Sequence, residues 1–203
     1  MERHIMKTTA LQKIKSIIGA GLMAIACMYI MPTMAQQAYK STATTTVIKG
    51  TSTLHDWDMK SATGQTQATF TVENGEITGI TALTFTVGAE TLKSSKSGLD
   101  KNAYKALNTG KHKTIIYKMT SGTVAKSGNA YTIKTNGTLT IAGNSKPLNL
   151  TAKATLNGDQ SISVTGSSKF AMTTYGVTPP TVMMGTIKTG DEITIDYSTK
   201  LTK

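Results

Sequence analysis

"YTIKTNGTLTIAGNSKPLNLTAKATL", Tyr131 to Leu156, carries the clearest periodic signal in the chain. In its first half Tyr131, Ile133, Leu139 and Ile141 fall on one side, and Thr132, Lys134, Asn136, Thr138 and Thr140 on the other. In its second half Leu148, Leu150, Ala152, Ala154 and Leu156 oppose Asn149, Thr151, Lys153 and Thr155. A period of two belongs to a strand with one buried and one wet face. "AGNSK" (142–146) between the halves reads as a turn, so the stretch is a hairpin.

The same period extends in both directions. Downstream, Ile162, Val164, Phe170 and Met172 alternate with polar residues, as do Ile193, Ile195, Tyr197 and Leu201. Upstream, Ile115, Tyr117 and Met119 alternate with Thr114 and Lys118. Residues 77–87 put Ile77, Leu83, Phe85 and Val87 on one side, with Ile80 out of step. About eight strands follow from such patterns, near 44–54, 66–73, 77–87, 113–120, 130–141, 147–156, 161–173 and 191–201. Short turns such as Glu73-Asn74-Gly75-Glu76 and Asn157-Gly158-Asp159 join them. An all-β sandwich and a closed up-and-down barrel both fit. Aromatic residues make up only 5% of the chain, and so thin an inward set sits more easily around a cavity than in a dense two-sheet core.

One segment departs from the β pattern. In "SGLDKNAYKALNTGKHKTI", Leu99, Ala103, Tyr104, Ala106 and Leu107 recur at helical spacing. Ser97 or Asp100 can cap the start and Gly110 follows the end. Lys111 and Lys113 lie just beyond, where the helix dipole favours cations. The spacing predicts a short helix over 99–108 that lies across a barrel end or edge and covers the core.

"GTSTLHDWDMK" (50–60) concentrates chemistry that is otherwise scarce: the only Trp, one of three His, and two Asp. A strand sends residues 55 and 56 to opposite faces, so only Asp56 and Asp58 share one, and a zinc site would need a distant partner such as His112. The stretch reads instead as the end of the first strand entering a turn. Trp57 suits plugging a barrel end with its indole N–H on a partner.

Residues 1–35 differ from everything after them. Lys7, Lys13 and Lys15 precede a 14-residue apolar run, Ile17–Ile30, and then "MPTMA". That is the layout of a signal peptide cut after Ala35, and the run is short for a bilayer span of about 20 residues. A retained anchor and lipidation at Cys27 are the competing readings. Cleavage leaves a single domain, 36–203, without cysteine and long enough to stand on burial alone. Residues 1–35 hold four of the 22 basic and one of the 11 acidic residues, so 36–203 carries 18 lysines against 10 acids, a net +8. The lysines are scattered singly, and the only arginine is Arg3. This distribution argues against a nucleic-acid interface and for a wet face that favours anionic membrane surfaces. The chain has no Gly-x-Ser-x-Gly elbow, no His-Glu-x-x-His and no phosphate-cradling Gly-rich loop, so nothing points to a catalytic residue, a metal ligand or a cofactor.

Four stretches in this order carry a resemblance: "IKGTSTLHDWDM", "SSKSGLDKNAYKALNTGKHKTIIYKM", "TNGTLTIAGNSKPLNLTAKATL" and "GSSKFAMTTYGVTPPTVMMGTIKTGDEITIDY". With the leader before them, they resemble the YceI-like family of exported bacterial lipid-binding proteins over essentially all of 40–201. The resemblance implies an eight-stranded antiparallel lipocalin-like barrel, in the periplasm or secreted, with no enzymatic activity and a long-chain amphiphile such as an isoprenoid, fatty acid or fatty amide in the lumen. It makes Phe70, Phe85, Ile115, Tyr117, Met119, Phe170 and Met172 candidate lining residues, with Leu92, Tyr104 and Leu107 closing the mouth. His55 and Trp57 become candidates for a headgroup or barrel-end contact. The helix has Ala and Tyr where many relatives carry bulkier aromatics, which leaves pocket width and ligand open. A ligand-free envelope or stress protein is the alternative, a hydrolase a distant third, and a homodimer is compatible with either.

Overall fold

The structure is a computed structural model and describes residues 36–203; the signal peptide, its cut after Ala35 and the Cys27 alternative lie outside the described residues. The strands are β1 (Gln36–Ser52), β2 (Trp57–Glu73), β3 (Glu76–Gly88), β4 (Thr114–Ser127), β5 (Ala130–Ile141), β6 (Asn144–Leu156), β7 (Ile162–Ala171), β8 (Thr181–Val182) and β9 (Ile187–Leu201), with one helix, α1 (Ser97–Leu107), between β3 and β4. Each long strand pairs antiparallel with its neighbour in the order β1-β2-β3-β4-β5-β6-β7-β9, and β1 also pairs with β9. The eight long strands therefore close into an up-and-down barrel, which decides between the two architectures. β8 is a two-residue addition that pairs only with β9.

The inward faces follow the alternation in β5, β6, β7 and β9. In β5 the buried set is Tyr131, Ile133, Thr135, Gly137, Leu139 and Ile141. Ile80, out of step in the sequence, is brought inside by two irregularities in the β2–β3 register, one between Thr69 and Phe70 and one between Thr71 and Val72. Each adds a residue to β3, so Ile77, Ile80 and Val87 are all buried. β1 and β2 begin earlier than the hydropathy suggested. In the added parts the buried residues are Tyr39 in β1 and Met59, Ser61 and Gly64 in β2, too few apolar residues among small and polar ones to give a readable hydrophobic alternation.

Several inward rings lie over glycines of the next strand. A Cβ on Gly64 would come 2.7 Å from the Phe85 ring, and those on Gly137 and Gly166 would run into Tyr117 and Tyr197. Glycine is the residue that lets these rings lie flat against the wall. Opposite the mouth, Tyr39, Phe70, Ile77, Ile80, Tyr131, Ile162 and Leu201 pack into a core that fills one end of the barrel. Tyr39 and Phe70 meet edge to face at 5.7 Å.

The helix starts and stops differently from the sequence expectation. Lys96 precedes it without a side-chain cap. Asp100, in its first turn, accepts from the Ser94 backbone N–H at 2.8 Å and the Ser94 hydroxyl at 2.7 Å. At the other end Asn108, not Gly110, takes the left-handed conformation, φ 50 and ψ 50. Asparagine tolerates that region because its short amide can bond locally.

Two predictions follow from this packing. Gly137→Val should displace the Tyr117 ring from the wall and destabilise the fold by about 1–3 kcal/mol, measured by chemical denaturation. Separately, hydrogen bonds from Ser94 hold the Asp100 carboxyl below its ordinary value, those from Thr173 do so for Asp191, and those from Lys49 and Ser167 for Asp196. A lowered folded-state pKa stabilises above the unfolded value of 3.8, and that contribution is lost as pH falls through the folded value. Thermal stability is therefore expected to be level near neutrality and to decline as pH drops below about 4.

Candidate functional site

The barrel holds a cavity of about 380 Å³, within the range that takes one small molecule. Its closed end is lined by Phe70, Ile80, Ile133 and Leu201, the inner surface of the packed end core. At its other end stand Leu99, Ala103, Ala106 and Leu107 of α1, Leu54 and His55 of the β1–β2 turn, and Pro180, Val182 and Ile187 of the β8–β9 hairpin. Leu54 and His55 are exposed, so this end reaches solvent and is the mouth. The lysine on the wall, Lys96, and the imidazole of His55 are both at the mouth. Below them the wall is hydrocarbon broken only by hydroxyls and aromatic rings.

Part of the wall is not backbone ladder. β6 and β7 pair only over Ala152–Leu156 and Ile162–Gly166, so the Asn144–Thr151 half of β6 parts from β7. The 3-10 turn Met172–Tyr175 covers this seam, held by Asn144 Nδ2 donating to the Tyr175 carbonyl at 2.9 Å. Tyr175 packs on Phe170 at 5.0 Å between ring centroids. Leu148, Leu150, Phe170, Met172 and Tyr175 thereby form one continuous apolar side of the cavity.

Of the residues singled out from the sequence, Phe70, Phe85, Leu92, Leu107, Ile115, Tyr117, Phe170 and Met172 lie on the cavity wall, together with His55 and Trp57. Two do not. Met119 fills a seam where β3 and β4 part: their ladder ends at Thr84–Lys118, and the Met119 sulfur lies beside Gly122 and Ile80. Tyr104 turns away from the lumen. Its hydroxyl donates to the Leu92 carbonyl at 2.6 Å, with the Glu90 carbonyl at 3.0 Å, and Lys93 Nζ sits 4.9 Å over the ring. It ties α1 to the 89–93 segment and does not face the mouth. Leu92, beneath that clasp, is only 1% exposed. The sequence reading passed over Leu148, Leu150, Ile195 and Tyr197 as site residues, although their alternation already put them on inward faces.

Trp57 opens β2 opposite Gly50. Its ring lies over that glycine and its indole N–H donates to the Thr51 carbonyl at 2.9 Å, so it caps the rim. His55 Nδ1 lies 2.8 Å from the Asp56 carbonyl and Nε2 3.4 Å from Lys96 Nζ. His112 is elsewhere, against Gly143 of the β5–β6 turn. Among the described residues no group of three or more His, Cys, Asp or Glu side chains comes together in a metal-binding arrangement. Inside the barrel, Tyr117 donates or accepts with Thr135 Oγ1 at 2.8 Å. Burial, with a smaller contribution from Tyr117, pushes the Tyr197 phenol up to about 12.

The architecture defines a class: a small closed β-barrel with an apolar lumen open at a helix-covered end. A family model described as the YceI-like domain matches residues 36–201, and the chain belongs to that family. Solved structures with the same fold are similar to it. BcnA of Burkholderia cenocepacia is 12% identical, with 79% of this chain and 96% of that one covered at a TM-score of 0.62. A polyisoprenoid binding domain from Saccharophagus degradans is 8% identical, with 82% and 98% covered at 0.60. The YceI protein of Campylobacter jejuni is 18% identical, with 68% and 81% covered at 0.52. No curated protein matches the chain significantly.

Proposed function

We propose that this protein is an exported, non-enzymatic carrier or store that holds a long-chain amphiphile in the barrel lumen, working in the periplasm or beyond after removal of residues 1–35. The observation that supports this most is the wall itself: about 380 Å³ of space behind a mouth, lined by Phe70, Phe85, Ile115, Tyr117, Phe170 and Met172 with no charge below the rim. Such a lumen excludes ions, whose burial without a partner is costly, and rewards hydrocarbon. Each buried CH₂ gains about 0.8 kcal/mol, so a dozen give on the order of 10 kcal/mol before ordering costs. A structural similarity to a polyisoprenoid binding domain is consistent with a ligand of that shape. A charged head would stay at the rim beside Lys96 and His55.

The mouth also favours delivery from a membrane. Met183 and Met184 at the β8–β9 tip are 71% and 108% exposed and Leu54 is 65% exposed. The Leu54 turn is held to that hairpin by the Thr53 N–H on the Lys188 carbonyl at 3.0 Å. Both methionines sit at positive φ, 51 and 54, an uncommon conformation for non-glycine residues. An apolar tip beside Lys188 of the same hairpin suits the interface of an anionic bilayer.

Two measurements test this reading. Native mass spectrometry of protein purified from its envelope, followed by organic extraction, should find a non-covalent adduct of several hundred daltons that extracts as lipid. Phe170→Asp should lose it while circular dichroism stays unchanged. Protein that is ligand-free and takes up no fluorescent fatty probe contradicts the carrier reading and favours a ligand-free structural role. Met183→Asp/Met184→Asp should weaken sedimentation with vesicles of anionic lipid severalfold and leave the wild-type adduct in place.

A further inference from the structure

Thr46 points at a second recognition element. The residue is 4% exposed and lies on the cavity wall. Among the described residues its Oγ1 is the one buried side-chain oxygen or nitrogen without a hydrogen-bond partner. A buried hydroxyl left unpaired costs the desolvation of the group, and nearly all such groups in folded proteins are satisfied. The neighbouring hydroxyls are engaged elsewhere. Thr44 Oγ1 bonds Thr66 Oγ1 at 2.7 Å and Thr199 Oγ1 at 2.9 Å. Across the two ladders from Thr46 stand Ser61 and Tyr197. Ser61 Oγ bonds Thr91 Oγ1 at 2.8 Å, and the Tyr197 hydroxyl is directed to the Thr151 carbonyl at 3.5 Å.

Thr46 lies four residues along β1 from Gly50, which pairs with the rim residue Trp57. At about 3.3 Å per residue on a tilted strand, that places it roughly 10 Å below the rim. No lysine or histidine lines the lumen at that depth; the lining ammonium of Lys96 and imidazole of His55 are at the mouth, and the phenol nearest Thr46, Tyr197, is held in its neutral form by burial. The position can therefore hold a polar group only if that group is uncharged.

We propose that Thr46 is a polar subsite inside the lumen, and that the preferred ligand is a long-chain molecule carrying an uncharged hydroxyl, carbonyl or amide that reaches it. This rests on the lumen being a lipid site and narrows the class of lipid. A hydroxyl both donates and accepts, so any of these groups satisfies Thr46. A bare hydrocarbon of equal length leaves it orphaned and gives up that discrimination.

The test uses Thr46→Val, which keeps β-branching and shape and removes only the hydroxyl. Ligand-stripped protein is equilibrated with a film of equal amounts of 1-hexadecanol and n-hexadecane, and the bound fraction is extracted and quantified. Wild type is expected to enrich the alcohol over the alkane by about five- to tenfold. Thr46→Val should bring that ratio close to one, with total loading unchanged and a melting temperature equal to or above that of wild type. Equal enrichment in the two proteins, or no enrichment in wild type, overturns the subsite and leaves the lipid-carrier reading standing. Failure of wild type to load either compound overturns both.

Discussion

Seven rungs between β1 and β9, from Thr45 opposite Ser198 to Ser52 opposite Thr189, turn a ribbon of strands into a tube. Without them the first and last strands would be open edges and the inward faces would have no inside. An eight-stranded barrel has an interior just wide enough for side chains to fill or for one small ligand to occupy. Which of the two occurs depends on the size of the inward residues. At one end large residues such as Phe70, Tyr131 and Ile162 meet and fill the space. Toward the other end the inward positions of β1 and β2 include the small Thr44, Thr46, Ser61 and Gly64 beside Ile48 and Met59, and the rings of Phe85, Tyr117 and Tyr197 lie over glycines. Small residues and flattened rings leave room that α1 then roofs.

Much of the fold was legible because wet-out and dry-in alternation is a direct record of a half-buried strand. β5, β6, β7 and β9 keep that alternation without interruption. β3 breaks it, and Ile80 showed the break in the sequence without its cause, because a bulge depends on the register with β2. The early parts of β1 and β2 were illegible for a different reason. Threonine, serine and glycine on an inward face look the same as a polar outward face. β8 was missed because two residues carry no period. The helix and its end near 108 were recognised by spacing, but Gly110 was taken as the glycine that follows the end, whereas Asn108 supplies the left-handed residue.

The site was legible in outline. Phe85, Tyr117 and Phe170 are inward aromatics in regular strand positions, and all reach the cavity wall. Met119 and Tyr104 share the same pattern of residue type but end in a seam and a clasp. Sequence period tells which face a residue occupies; it does not tell where along the axis neighbouring strands separate. The seam between β6 and β7, which makes Leu148 and Leu150 wall residues, arises from a ladder that stops at Ala152. His55 and Trp57, the most chemically suggestive cluster, are rim residues: one ring capping Gly50, one imidazole beside Lys96.

The central claim is that the lumen is a ligand site and not an incompletely packed core. The most direct measurement is a crystal structure of protein purified from its native envelope, with density inspected before any ligand is placed. The account predicts continuous, elongated density running from the α1 mouth past Phe170 and Tyr117 and reaching Thr46. Side chains repacked to fill the barrel, with no such density, would contradict it.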